Sequence, residues 1–336
     1  MVFEREIKRI SAQRAQVASM EREAKREKLA QSGDFLKVEA ELNAAGARLA
    51  RASIAGREAA AAARREFDAL RERYTEVLAK AGFSAADLEL KAQCKLCGDS
   101  GYLADNRLCS CLRRELPSLL PAELNFFPDP QQNFAKYNSD IFTPEKRPEW
   151  YGGEISPRVA AEDFLAFAKD YVKDFTEGAM NLFFYGDPGT GKTYLLAAIA
   201  NALLQEGYIV SYLTADRFFQ IMSKKRFLEQ NFNPNPVEQD LNRRQLELLQ
   251  SAALLIIDDL GIENPNAANY SELFQLFERR ARGQKPLLIG SNISPDEFRE
   301  NYDERLSSRL VGSFDLIQLM GPDLRVLAAQ RRLAEG

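Results

Sequence analysis

The chain has 336 residues, with 45 Lys+Arg, 49 Asp+Glu, no His and a formal net charge of −4, a length that allows two domains with full cores. Residues 1–120 carry 22 basic against 18 acidic side chains (+4) and residues 121–336 carry 23 against 31 (−8), which excludes a protein that coats nucleic acid by bulk charge. No apolar run approaches a membrane span, and the start Met-Val-Phe-Glu-Arg-Glu is charged where a signal peptide turns apolar, so a cytoplasmic protein with no membrane partner is expected.

Residues 1–82 read as a helical hairpin or coiled-coil region that binds a partner. Helices are predicted over 2–31 and 35–81, rich in Ala, Glu, Lys and Arg and interrupted at Gln31-Ser32-Gly33-Asp34. Asp34 is a candidate cap for the second helix, and Gly82 stands where a helix-ending glycine belongs. Apolar residues at 3, 7, 10, 17 and 20 and at 67, 70, 74, 77 and 78 have helical spacing without an unbroken heptad. Alanine fills much of the inward face; it lets helices approach closely but buries little area, so a partner is expected to add stability. A solvated charged helix is the plainer alternative.

Residues 83–116 hold every cysteine: Cys94-Lys-Leu-Cys97-Gly, then Cys109-Ser-Cys111. With no histidine in the chain, a metal here takes four thiolates, which favours structural Zn²⁺ over a catalytic site. The Cys-x-Cys pair is tighter than the commonest zinc spacing, and disulfides or free thiols are the alternatives. Residues 117–157 change to Pro, Asn, Phe and Tyr without period, a linker whose aromatics Phe134, Tyr137, Phe142, Trp150 and Tyr151 suggest docking on the next domain.

From 158 to 336 the pattern is α/β. A helix is expected over 158–175, strands at 181–185, 208–213, 253–258, 286–291 and 314–319, and helices at 192–205, 238–251, 269–282 and 303–310. Short apolar strands imply a largely parallel sheet covered on both faces, with ligands at the strand carboxyl ends. There lies Gly186-Asp187-Pro188-Gly189-Thr190-Gly191-Lys192-Thr193, which fits G-x-x-x-x-G-K-[ST] between a strand and a helix. Its glycines turn backbone N–H groups towards phosphate, Lys192 would reach the β and γ phosphates of ATP, and Thr193 would ligate Mg²⁺. Ala253-Leu-Leu-Ile-Ile-Asp258-Asp259 ends a strand in two carboxylates. Asp258 would hold Mg²⁺ and Asp259 would polarise the attacking water; turn acids capping a buried strand are the alternative.

Gly290-Ser291-Asn292 closes the next strand, and Asn292 could orient that water, although Ser-Asn alone is simply a turn. Arg305 and Arg309 fall at i and i+4, suited either to a γ phosphate in a neighbouring subunit or to surface salt bridges. Arg325 is a further cation placed to sense nucleotide. Within 217–244, Lys224, Lys225, Arg226 and Phe227, with Phe218, Phe219, Phe232, Arg243 and Arg244, supply the ingredients of a groove for single-stranded DNA. A buried phenylalanine core beneath a solvated basic face reads the same residues equally well.

With the phosphate loop, Leu-Leu-Ile-Ile-Asp258-Asp259-Leu-Gly, Asn292, Glu-Arg305-Leu-Ser-Ser-Arg309-Leu and Gly-Pro-Asp-Leu-Arg325 in order, residues 90–330 resemble AAA+ ATPases of the bacterial helicase-loader group, the DnaC/DnaI type. Cys-x-x-Cys-x-Asp-Ser-Gly-Tyr and Ile155-Ser-Pro-Arg158 belong to that likeness. The resemblance implies an AAA+ fold and an ATPase that uses Mg²⁺. Asp258 matches the Mg²⁺ acid, Asn292 sensor 1, Arg309 the arginine finger, Arg325 a reduced sensor 2, and 217–244 the element that touches single-stranded DNA. It also implies self-association through the ATPase domain, and an amino-terminal region that grips the replicative hexameric helicase for loading. Asp259 departs from the Glu that many members carry; one methylene shorter, it suits slow turnover and a release switch. The rival readings are a transposition-helper ATPase that recruits a transposase and a non-catalytic zinc and coiled-coil adaptor.

Overall fold

The structure, a computed structural model, describes residues 2–327 and 329 apart from 32, 114–121, 125, 177, 262–266 and 303. It separates into two compact units, residues 6–101 and residues 102–336 together with the first five. Among the described residues no helix is long and apolar enough to cross a membrane.

Good helix formers fill α1 (Val2–Ala30), α2 (Gly33–Ala55) and α3 (Arg57–Lys80). The single helix expected over 35–81 is therefore two, broken at Gly56, whose φ of 136° an L side chain rarely adopts. The chain folds back there. Arg48 meets Glu66 at 2.7 Å and Arg73 meets Glu41 at 3.5 Å, an antiparallel pairing. Gly46 faces the Phe67 ring, where a Cβ would lie 3.4 Å away in ordinary contact. Such exposed ion pairs contribute about 0–1 kcal/mol each. The fixed point is the buried cluster of Leu29, Phe35 and Leu78, packed by Tyr74, Val77, Phe83 and Leu88, where each buried side chain contributes about 1.5–3 kcal/mol. Gly82 has the positive φ of a helix-ending glycine, 78°, whereas Asp34 lies inside the first turn of α2.

In the second unit the strands are β1 (Asn181–Tyr185), β2 (Val210–Thr214), β3 (Leu254–Leu260), β4 (Leu287–Ser291) and β5 (Phe314–Gln318), each within two residues of its expected place. They form one sheet in the order β2-β3-β4-β1-β5, with every pair parallel. After α4 (Ser110–Arg113), the helices are α5 (Pro157–Lys173), α6 (Lys192–Glu206), α7 (Ala215–Gln230), α8 (Pro236–Ser251), α9 (Ala267–Arg282), α10 (Pro295–Asn301) and α11 (Glu304–Ser313). Leu195, Leu196, Ile199, Ala200 and Leu203 of α6 are buried against Leu182, Phe184, Leu254, Ile256 and Leu288 of the sheet. This joins the helix of the phosphate loop rigidly to the central strands.

Helices α4, α7 and α10 go beyond the sequence expectation. Helix α7 begins where Thr214 Oγ1 accepts the N–H of Arg217, and it buries Phe218, Phe219, Ile221, Met222 and Leu228. Helix α10 opens on a capping box of Ser294 and Glu297, a signal present in the sequence.

The segment before α5 lies along this unit. Asn201 Nδ2 donates to the carbonyls of Asp129 and Gln132, both at 2.8 Å, and the Tyr212 N–H donates to Phe126 O at 2.7 Å. Arg158 donates to the carbonyls of Phe142 and Asp140 at 3.2 and 3.0 Å. Opposite the strand carboxyl ends, Arg280 is 2% exposed and donates to the carbonyls of Leu249 (2.9 Å), Ala252 (3.1 Å) and Pro286 (2.7 Å). Its guanidinium thereby ties the end of α8 to the entries of β3 and β4. Burial pulls its pKa down to about 9, which leaves it charged at neutral pH.

Candidate nucleotide site

Strand β1 ends at Tyr185, and the loop 186–191 turns from it into α6 with positive φ at Gly186, Gly189 and Gly191 (139°, 81° and 99°). Close approach adds to the conformational demand. A Cβ at Gly186 would lie 2.0 Å from Leu319 O, and one at Gly189 would lie 2.0 Å from Asp323 Oδ1. The Leu324 N–H donates to Gly189 O at 3.0 Å, so the segment carrying Arg325 is bonded to the loop. Thr190 Oγ1 donates to Asp187 O at 2.8 Å and fixes the turn from within. Lys192, 5% exposed, donates to Gly186 O (2.7 Å) and Asp187 O (2.8 Å). Its pKa is lowered, chiefly by burial, with Asp258, Asp259 and Asp187 opposing the shift and Arg325 adding to it. These carbonyls occupy the ammonium donors that phosphate oxygens would take. Pro188 is exposed at the loop's tip, and Thr193 lies in the first turn of α6.

Across the sheet, the β3–β4 register shifts between Ile257 and Leu260, so Asp258 and Asp259 sit on an irregularity, with Asp259 at a φ of 58°. Asp258 is 2% exposed. Its Oδ2 accepts the Tyr212 hydroxyl at 2.7 Å and its Oδ1 accepts the Asp259 N–H at 3.0 Å. Gly290 on β4 makes room for it, because a Cβ there would lie 2.2 Å from Asp258 Oδ1. Burial first, and then the charge of Asp258, raise the pKa of Asp259; Lys192, Arg325 and a side-chain hydrogen bond from Asn292 oppose the rise. Lys192, Asp258, Asp259, Asn292 and Arg325 are thus gathered at the carboxyl ends of β1, β3 and β4. The position of Tyr212 and the fit of Gly290 to Asp258 are not legible in the sequence, nor is the contact of Asp323 with the loop.

The arginine pair is placed elsewhere. Arg309 of α11 pairs with Glu278 of α9, which Arg282 also approaches at 3.8 Å. Arg305 is exposed on the same helix. In the basic segment, Lys224 pairs with Glu238 at 2.8 Å and lies 5.5 Å above the Phe227 ring. Lys225 and Arg226 share Glu272, at 3.5 and 3.7 Å. Phe218 and Phe219 belong to the core and take no part in a surface groove, whereas Phe227 and Phe232 are exposed.

Cys94 and Cys97 belong to the first unit and Cys109 and Cys111 to the second, a group of four that could hold a metal ion. Four thiolates are the donor set that a structural Zn²⁺ takes. The N–H groups of Gln93 and Cys94 donate to Asp99 Oδ2 and Oδ1, both at 2.8 Å, which holds the first Cys-x-x-Cys turn.

Comparison with known proteins matches residues 159–315 to the bacterial DnaA ATPase domain family. The replicative helicase loader DnaC of Escherichia coli is 31% identical over 146 residues, 44% of this chain and 56% of DnaC. Over residues 159–315 this chain is related to the AAA+ ATPases of the DnaA, DnaC and DnaI group. The replicative helicase loader DnaI of Bacillus subtilis is 29% identical over 136 residues, 40% of each chain. The chromosomal replication initiator protein DnaA of Aquifex aeolicus is 28% identical over 167 residues, 47% of this chain and 39% of DnaA. The chain therefore spans about half the length of the curated relatives it matches, or less.

Proposed function

We propose that this AAA+ protein binds ATP with Mg²⁺, associates with itself across the nucleotide and loads a replicative hexameric helicase onto single-stranded DNA, with hydrolysis acting as the release switch. The observation that carries the reading is the gathering of Lys192, Asp258, Asp259, Asn292 and Arg325 around one phosphate loop. The names of the DnaC and DnaI relatives, replicative helicase loaders, supply the biological direction.

In this reading Lys192 exchanges the carbonyls of Gly186 and Asp187 for β and γ phosphate oxygens. Backbone N–H groups of 189–193 cradle the phosphates at the start of α6. Thr193 and Asp258 would hold Mg²⁺, which when bound neutralises charge on the β and γ oxygens. Asp259 accepts a proton from the attacking water, and Asn292 keeps that carboxylate and the water in place. Arg325 reads the phosphate from the Asp323–Leu324 turn bonded to the loop. A guanidinium from a second copy completes the charge. Lys224, Lys225, Arg226 and Phe227 contact single-stranded DNA, the cations giving up their internal acidic partners, and residues 1–82 grip the helicase.

ATP hydrolysis measured alone, with single-stranded DNA and with helicase tests the proposal. Stimulation by both ligands is expected; stimulation by duplex DNA alone would favour the transposition helper, and no hydrolysis under any condition would favour the adaptor. Because Asp259 acts ionised and its pKa is raised by burial and by Asp258 in the free protein, kcat/KM should fall on acidification with a midpoint above the ordinary carboxylate value of about 4. A midpoint at or below that value, with ATP well below KM, would contradict the role. For the cysteine group, metal analysis of the purified full chain should find about one Zn²⁺ per chain, lost in Cys97→Ser; equal metal content in the two proteins would contradict it.

A further inference from the structure

Two hydrogen bonds fix the carboxylate of Asp258, and the more informative one comes from a different strand. Tyr212 lies on the edge strand β2, two residues before Thr214, the register partner of Asp258. Its hydroxyl donates to Asp258 Oδ2 at 2.7 Å, while Asp259 N–H takes Oδ1 at 3.0 Å. The carboxylate has little freedom to turn, for the backbone of Gly290 passes so close to Oδ1 that a Cβ would stand 2.2 Å away. Tyr212 is itself held, because its N–H donates to Phe126 O at 2.7 Å and pins this part of β2 to the segment that runs beside it.

We infer that Tyr212 is a positioning residue for the Mg²⁺ site, its hydroxyl setting the orientation in which Asp258 meets the ion. This rests on the reading of the site as one for ATP with Mg²⁺. A phenolic donor suits that role, since it leaves the carboxylate its charge while occupying one lone pair of one oxygen. The ring supplies packing and the hydroxyl supplies orientation, so the two contributions can be separated by removing one atom.

The test is Tyr212→Phe in the full chain, with a fluorescent ATP analogue titrated in EDTA and then over a range of Mg²⁺ concentrations. Affinity in EDTA should change by less than about twofold, while the Mg²⁺ concentration for half-maximal tightening rises about tenfold, the scale of a lost hydrogen bond to a charged group. Equal Mg²⁺ dependence in the two proteins would overturn the inference, as would a loss of affinity of the same size with and without Mg²⁺, which marks a merely structural ring. A wild-type chain that binds no nucleotide would overturn the reading of the site and this inference together.

Discussion

Arg309→Ala should bind ATP as the wild type does and lose about 10³-fold of its DNA-stimulated hydrolysis, the lower end of the effect of a trans-acting arginine. Binding should survive because the contacts expected for nucleotide come from Lys192, Thr193 and Asp258, while Arg309 is held on α11 by Glu278 of its own chain. That ion pair is partly exposed, 39% and 25% for the two side chains, so it is worth about 1 kcal/mol or less and is readily exchanged for a phosphate in a neighbouring copy. Mixing provides the decisive form of the experiment. Lys192→Ala supplies an intact arginine without a working loop, and Arg309→Ala supplies the reverse, so the mixture should recover activity that neither has alone. Arg305→Ala, changed on the same helix, should cost much less. Unchanged stimulation in Arg309→Ala, or a mixture as inactive as its components, would remove the shared seam.

Arg280→Ala is expected to destabilise the fold by about 1–3 kcal/mol for each buried carbonyl left without its donor, read from the urea midpoint. The carbonyls of Leu249, Ala252 and Pro286 converge on one buried guanidinium, and removing it leaves them without that donor in a dry environment. Arg280→Lys should recover only part of the loss, because a single ammonium cannot reproduce the planar fork. Arg280 lies at the end of the sheet away from the phosphate loop, so the nucleotide affinity of the folded fraction should be unchanged. A loss below about 1 kcal/mol would contradict this account of the buried arginine.

The two arginines also show where reading the sequence stops. The phosphate loop is legible because its chemistry is contiguous: glycines, Lys192 and Thr193 stand within eight residues between an apolar strand and a helix. The inner strands β1, β3 and β4 are legible because their faces are both covered, which writes unbroken apolar runs such as Leu-Leu-Ile-Ile before Asp258, whereas the edge strand β5 exposes Asp315, Leu316 and Gln318. Gly56 gives no clear signal, because a lone glycine in an Ala-rich run is tolerated in helices, and only its φ of 136° shows that the chain turns there. Phe218 and Phe219 read with the basic residues as a nucleic-acid surface, yet α7 turns them into the core and leaves Phe227 outside. Tyr212 and Arg280 cannot be found by pattern. A tyrosine in a strand reads as packing and an arginine in the last turn of a helix reads as solvated charge, and their partners lie 46 residues away for Asp258 and 31 for Leu249.

Self-association on nucleotide is the claim on which the helicase-loading proposal turns, and sedimentation velocity of the full chain tests it most directly. With Mg²⁺ and a non-hydrolysable ATP analogue the wild-type chain should sediment as an assembly larger than in nucleotide-free buffer, and Lys192→Ala should not respond. A wild-type chain that binds the analogue yet sediments identically with and without it would contradict the account.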